Sequence, residues 1–523
     1  HWRAGSASDS PIPEIVETDT LQMRDEGQPN VDPLLAARAR ITTNIFIIAL
    51  ASADQMMKRN LELLEKKAWF DLPVRTSDNR LAKITIEKGS PGERIMLEIR
   101  RDPLAFLART WADYGDVVQF PIPKPPAYLI SSPAAVRDVL VTEARNYTKA
   151  TIQYSALSLV TGEGLLTAGN EVWRQQRPLV QPAFHHSSIE AVARHLDLAL
   201  ESLLMRWLAL PDGAVVDVDG EMMRLGLDVV GRSLFGADIS GDADRLARAT
   251  LSALSVVVGR ARMPIAAPGW VPTPGNRQLA AAVRTLDDAV DHLIAQHRSR
   301  ASRYAEPDML DLLLAAHDDE GRTLSARQVR DQMVTFIVAG HETVASALSW
   351  AWALLAQHPD AADRLAAEAD AVMGDRPVTA GDYTRLIWAR AVLDETLRLY
   401  PPAWLITRSS IEEEQLDGHS RSVHIISPWI VHRHPDAWTS PHEFRPSRFV
   451  DRGSVDRHAF IPFGAGLRLC IGRDFAYVEG VLALARIAQR LRLSPIGAEG
   501  LPPMDPLVTI RPRGGLHLRV SSR

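Results

Sequence analysis

The stretch that most constrains this chain is Phe460-Ile461-Pro462-Phe463-Gly464-Ala465-Gly466-Leu467-Arg468-Leu469-Cys470-Ile471-Gly472, which holds the single cysteine of 523 residues. One cysteine cannot close an intrachain disulfide, so Cys470 serves either as a buried packing residue or as a thiolate. Gly464, Gly466 and Gly472 permit a tight, partly left-handed turn whose backbone N–H groups can point at the sulfur and lower its pKa. Phe463 is placed to cover that sulfur. Arg468, two residues away, is a ready partner for a carboxylate.

Composition narrows the function classes. The chain is 46% hydrophobic and 24% charged, with a formal net charge of −5, and it lacks the concentrated Lys and Arg of a nucleic-acid binder. A single cysteine suits a reducing compartment, and the most apolar early run, Asn44 to Ala53, is too short to cross a bilayer. The expectation is a cytoplasmic protein without a transmembrane segment. Residues 1–30 are polar, aperiodic and read as a disordered lead-in. Within 31–100, apolar residues from Leu34 to Leu64 recur at roughly helical spacing and predict an N-terminal helical extension able to mediate a protein contact. The remainder, 101–523, reads as one large, mainly α unit. Gly115–Phe120 reads as a short β-run, expected to pair with Ala127–Ile130 as a first hairpin.

The longest helix candidate follows Ser325, which with Gln328 makes a capping box, and runs to about Gln357. Thr335, Ala339, Thr343 and Ala347, stepping by four, put small side chains on one face. Gly340 costs this helix about 1 kcal/mol relative to alanine. Thr343 offers a compensating role, because its hydroxyl can bond the Ala339 carbonyl and open a polar notch. Glu342 beside it is either a solvated acid or a proton relay. Trp173 and Arg177 share a helix face, a spacing common in surface cation–π stacks. Glu395 and Arg398 lie three apart in an apolar run, which predicts a buried pair needing a further partner. Residues 253–275 are apolar but broken by proline and glycine, and cannot be one helix.

The pattern F-x-x-G-x-R-x-C-x-G from Phe463 to Gly472 resembles the haem-binding loop of the cytochrome P-450 family. W-x-x-x-R at 173–177, A-G-x-E-T at 339–343 and E-x-x-R at 395–398 precede it in that family's order, over about residues 101–523. The resemblance implies a cytochrome P-450 fold, mainly α with a small antiparallel β-sheet, and haem b (iron protoporphyrin IX) ligated by Cys470 as its metal ligand. It implies cofactor contacts from Trp173, Arg177, Arg408, Arg468, Phe463, Gly464, Ala339 and Gly340, and catalytic roles for Thr343 and Glu342. Arg448 is expected to complete an Arg–Glu–Arg core with Glu395 and Arg398, although Ser447 stands where the family has an acid. Residues 253–275 match the roof of the substrate channel, and Trp404 a pocket-lining position.

The activity implied is hydroxylation or epoxidation of an apolar small molecule such as a terpene, fatty acid or other secondary metabolite. It would use O2 and electrons from a separate ferredoxin or flavodoxin and reductase, since no second cysteine exists to hold a cluster. Another reaction on the same fold (peroxygenase, desaturation, C–C or ring-forming oxidation) and a non-catalytic haem ligand-binding protein are the alternatives. Six arginines (445, 448, 452, 457, 468, 473) against four acids (443, 451, 456, 474) predict a positive surface near Cys470 that would steer an acidic carrier.

Overall fold

A helix of 32 residues, Ala326–Gln357, organises the fold and starts at the expected capping box: the Ser325 hydroxyl accepts from Gln328 N–H at 3.3 Å, and Gln328 Oε1 accepts from Ser325 N–H at 2.9 Å. Such a cap contributes about 1 kcal/mol. Packing contributes far more, because 23 of the 32 residues are buried. Its main neighbour is the helix Val218–Phe235, and glycines set how near the two can come. A Cβ on Gly226 would sit 3.0 Å from the His341 carbonyl oxygen, and one on Gly340 would sit 2.9 Å from Val230 Cγ2. Gly340 is thus explained by close helix–helix approach, which offsets its cost as a helix former.

The computed structural model describes residues 98–523 apart from 121–124, 185–186, 237–242, 262–266, 301–308, 318–320, 322, 412–421, 452–454 and 498–499; before residue 98 it describes only 74–75 and 81–82. The expectations for residues 1–30 and for the helical run to Leu64 lie outside these residues. Val74–Arg75 and Leu81–Ala82, within the 31–100 segment, pair as antiparallel strands.

Helices dominate the described residues, with small sheets at their margin. The largest sheet has the spatial order Val117–Phe120, Ala127–Ile130, Val423–Ile426, Ile406–Ser410, Tyr147–Thr148. The first hairpin is as expected, whereas Ala127–Ile130 and Val423–Ile426 run parallel, so the sheet is mixed. Parallel pairing needs a long crossover, and here some 290 residues separate the two strands in sequence, a connection no local pattern reveals. Ile406–Ser410 is buried at every position and carries Arg408 inward. The apolar segment that starts in the 250s is interrupted as expected: one helix ends at Ala261, the next begins at Pro274, and Met263, Pro264 and Ile265 lie outside the described residues.

The helix Arg473–Arg490 follows the cysteine loop and buries Glu479, whose Oε1 has no hydrogen-bond partner among the described residues. Burial pushes this carboxyl from its ordinary 4.5 up to about 8. The folded protein therefore keeps a proton that the unfolded chain has released, and stability falls as pH rises from about 4.5 to about 8 before levelling off. Glu479→Gln is expected to match the parent near pH 5 and to exceed it by roughly 2–4 kcal/mol at pH 9, read from urea midpoints. Equal stabilities at pH 9 would show that the carboxyl is not held neutral.

Candidate active site

The cysteine loop is closed by its own backbone. Cys470 N–H donates to the Phe463 carbonyl at 3.0 Å, Gly464 N–H to Ile461 and Leu469 N–H to Gly466. Gly464 and Gly466 adopt φ of 72° and 66°, the left-handed region that favours glycine. Gly472 does not, at −87°; it caps the following helix instead. A Cβ on Gly466 would lie 1.9 Å from the Leu140 carbonyl oxygen. Gly466→Ala is therefore expected to cost at least about 2 kcal/mol in a urea titration, since neither the backbone angle nor the neighbouring backbone can yield cheaply.

Cys470 is surrounded by the fold, yet its own surface is open. Burial pushes its thiol up; the Gly472 N–H and the nearby Arg177, Lys149 and Arg473 pull it down only in part. The glycine amides alone thus do not make the anion. A cation bound at the sulfur would favour the thiolate further.

Four cations converge near that sulfur without an ion-paired carboxylate among the described residues. Arg177 donates to the Leu469 carbonyl at 3.2 Å and to Gln181 at 2.9 Å. Arg468 donates to the Ala168 carbonyl at 3.1 Å and to Asn170 at 2.8 Å, with its guanidinium 4.4 Å from the Trp173 ring centre. Arg408, from the buried strand, donates to the Thr407 carbonyl at 2.9 Å. Lys149 donates to the Leu166 carbonyl at 2.7 Å and lies over the Tyr154 ring. Burial, then repulsion by Arg408 and Arg468, hold the Lys149 ammonium well below the usual lysine range. Burial brings Arg468 down to about 10. Uncompensated buried charge is costly, so this donor set fits a dianionic ligand. Sequence reasoning missed Lys149, because nothing local distinguishes a buried lysine from a surface one.

The long helix supplies the other wall. From Asp331 to Leu355 every residue is buried except Ala339, Gly340 and Thr343, which are partly open. Thr343 Oγ1 donates to the Ala339 carbonyl at 2.8 Å, the bond expected from the sequence. Phe184 ties this helix to the one that follows the cysteine loop: its ring lies 5.5 Å from that of Phe336 and 5.2 Å from that of Phe475. Glu342 turns away from the open patch, into the interior, and accepts from Thr509 Oγ1 at 2.6 Å. Burial raises its carboxyl pKa.

The comparisons with known proteins bear on this constellation. The family model described as Cytochrome P450 matches residues 94–519. The chain belongs to the cytochrome P450 family. The chain is 37% identical over 431 residues to cyclooctatin synthase of Streptomyces melanosporofaciens, covering 81% of this chain and 90% of that one. Pentalenene oxygenase of Streptomyces avermitilis is 32% identical over 432 residues, 82% of this chain and 94% of its own. Cyclooctat-9-en-7-ol 5-monooxygenase of Streptomyces melanosporofaciens is 35% identical over 403 residues, 76% and 86% of the two chains. The protein is accordingly a P450 monooxygenase with a haem cofactor. The cation cluster and the open cysteine suit a porphyrin's two carboxylates and its iron.

Behind the P450 loop, the three-residue ion network forms as expected. Arg398 Nε and Nη2 donate to Glu395 at 2.7 and 2.8 Å, and Arg448 Nε donates to Glu395 Oε1 at 3.1 Å. Two sequence expectations change. Trp404 is buried and its indole donates to the Leu507 carbonyl at 2.9 Å, so it anchors the chain instead of lining a pocket. Of the six arginines counted near Cys470, Arg448 and Arg468 point into the protein. The remaining arginines and acids are equal in number, with Arg452 outside the described residues. The predicted local excess of positive charge came from counting interior charges as surface ones. No helix among the described residues is long and apolar enough to cross a membrane.

Proposed function

We propose that this P450 inserts one oxygen atom from O2 into a terpene-type hydrocarbon, using haem b held by Cys470. The relatives' names support that substrate class, and a cytoplasmic setting with a ferredoxin or flavodoxin as carrier suits a thiol that must stay reduced. Bound here, the haem supplies O2 activation at its iron. Lys149, Arg177, Arg408 and Arg468, with the Trp173 indole, neutralise and orient the cofactor's carboxylates. Phe463 and Gly464 shape the turn around the sulfur. Ala339 and Gly340 let a flat group approach the helix, and Thr343 presents its hydroxyl at the only open patch. Glu342 holds the transferable proton, with Thr343 Oγ1 as the group that passes it on.

One observation carries the reading: a helix buried along 25 residues is open only at Ala339, Gly340 and Thr343. The N-terminal extension would act as a partner contact. The test is turnover of cyclic terpene hydrocarbons and fatty acids under labelled O2, with NADPH, ferredoxin and reductase. Products carrying one labelled oxygen, formed from terpenes in preference to fatty acids, are expected. Binding of these compounds with neither substrate-dependent NADPH consumption nor product would instead favour the ligand-binding reading.

A further inference from the structure

Behind the long helix lies a polar interior that the site described so far does not use. Glu342 is 2% exposed and Thr509 likewise 2%, and Thr509 Oγ1 is the donor to the carboxyl at 2.6 Å. Thr509 stands in the turn between the paired strands Met504–Pro506 and Ile510–Pro512. That turn is bolted to its surroundings. The Ile510 carbonyl accepts from Ser346 Oγ at 2.7 Å and from Trp350 Nε1 at 2.9 Å, both on the long helix, and Ile510 N–H donates to the Pro402 carbonyl. Three fixed groups thus hold the turn that carries the Thr509 hydroxyl. It is not a wandering surface side chain.

The charged groups facing Glu342 come from three elements. Arg511, two residues past Thr509, pairs with Asp219 on the neighbouring helix, and Asp219 also accepts from Ser349 at 2.9 Å. His341, on the same helix as Glu342, is buried and its pKa brought down to about 4 by burial, so it adds no charge; its Nε2 has no partner among the described residues. Burial pushes the Glu342 carboxyl toward its neutral form, Thr509 and Arg511 favour the anion, and Asp219 opposes it. Of the groups favouring the anion, only Thr509 touches the carboxyl, and the same contact fixes where that carboxyl points.

We propose that Thr509 is a positioning residue for Glu342, holding the carboxyl withdrawn behind the long helix and so setting when it can pass a proton toward Thr343. This rests on the reading of Glu342 as the relay. A hydroxyl that donates to a carboxylate stabilises the charged form, so its removal leaves the acid both harder to ionise and free to rotate. A methyl in its place keeps the packing of the turn.

The test compares the full-length holoenzyme with Thr509→Val, Thr509→Ser and Glu342→Gln. In an infrared pH titration without turnover, the protonated-carboxyl band that is missing in Glu342→Gln belongs to Glu342. Its midpoint is expected to move up by about one pH unit in Thr509→Val and to return in Thr509→Ser. Product formed per NADPH should fall several-fold in Thr509→Val and recover in Thr509→Ser. A parental infrared midpoint in Thr509→Val overturns the positioning role, whatever the product yield. An undiminished yield in Glu342→Gln sinks the relay reading itself, which the infrared midpoint does not touch.

Discussion

Cys470→Ala is expected to give a folded polypeptide whose reduced, carbon-monoxide-treated form lacks the red-shifted Soret band of the parent, and whose product formation drops to the protein-free background. The fold should survive because the sulfur contributes little packing: its surface is open, and the bond that closes the loop runs from the Cys470 backbone N–H to the Phe463 carbonyl. That bond does not depend on the side chain. What is lost is the one thiolate in the chain able to donate electron density to an iron. A Cys470→Ala protein that kept the red-shifted band would overturn Cys470 as the ligand. Far-ultraviolet circular dichroism on the same sample separates lost ligation from lost folding.

The second large effect concerns stability. Glu395 and Arg398 are both fully buried, and the carboxylate serves both arginines and the Arg445 N–H at 2.8 Å. The remaining Arg398 donors reach the His432, Pro441 and Glu443 carbonyls. Every polar group is matched, so removing the centre is worse than never having built it. Glu395→Ala leaves a buried guanidinium facing another with no anion between them. Breaking a buried pair in this way costs about 3–5 kcal/mol, a large part of a typical total of roughly 5–15 kcal/mol. We expect Glu395→Ala to unfold at a markedly lower urea concentration and to lose the haem spectrum with it. Arg398→Lys should fail almost as badly, because an ammonium cannot reproduce the forked contact. A parental urea midpoint for Glu395→Ala would mean that the network is not essential to the haem-binding core.

Much of this site was legible in the one-dimensional pattern because its parts are local. The capping box at Ser325 and Gln328, the Thr343 bond to Ala339 four residues back, and the left-handed Gly464 and Gly466 each depend on spacings of a few residues. The Glu395–Arg398 pair was equally visible, since an apolar run around two charges at helical spacing implies burial. Their order along the chain sufficed to name the family.

What the chain order could not disclose is where long-range packing places each charge. Burial alone distinguishes Lys149 and Glu479 from surface residues of the same type, and burial is a property of the assembled helices. The same holds for Trp404, whose carbonyl partner lies about a hundred residues away. Glu342 makes the division plainest. Its identity and its alcohol neighbour are written locally, but the hydroxyl that holds its carboxyl arrives from a turn 167 residues further on, because desolvated charge takes whatever partner the fold brings within reach.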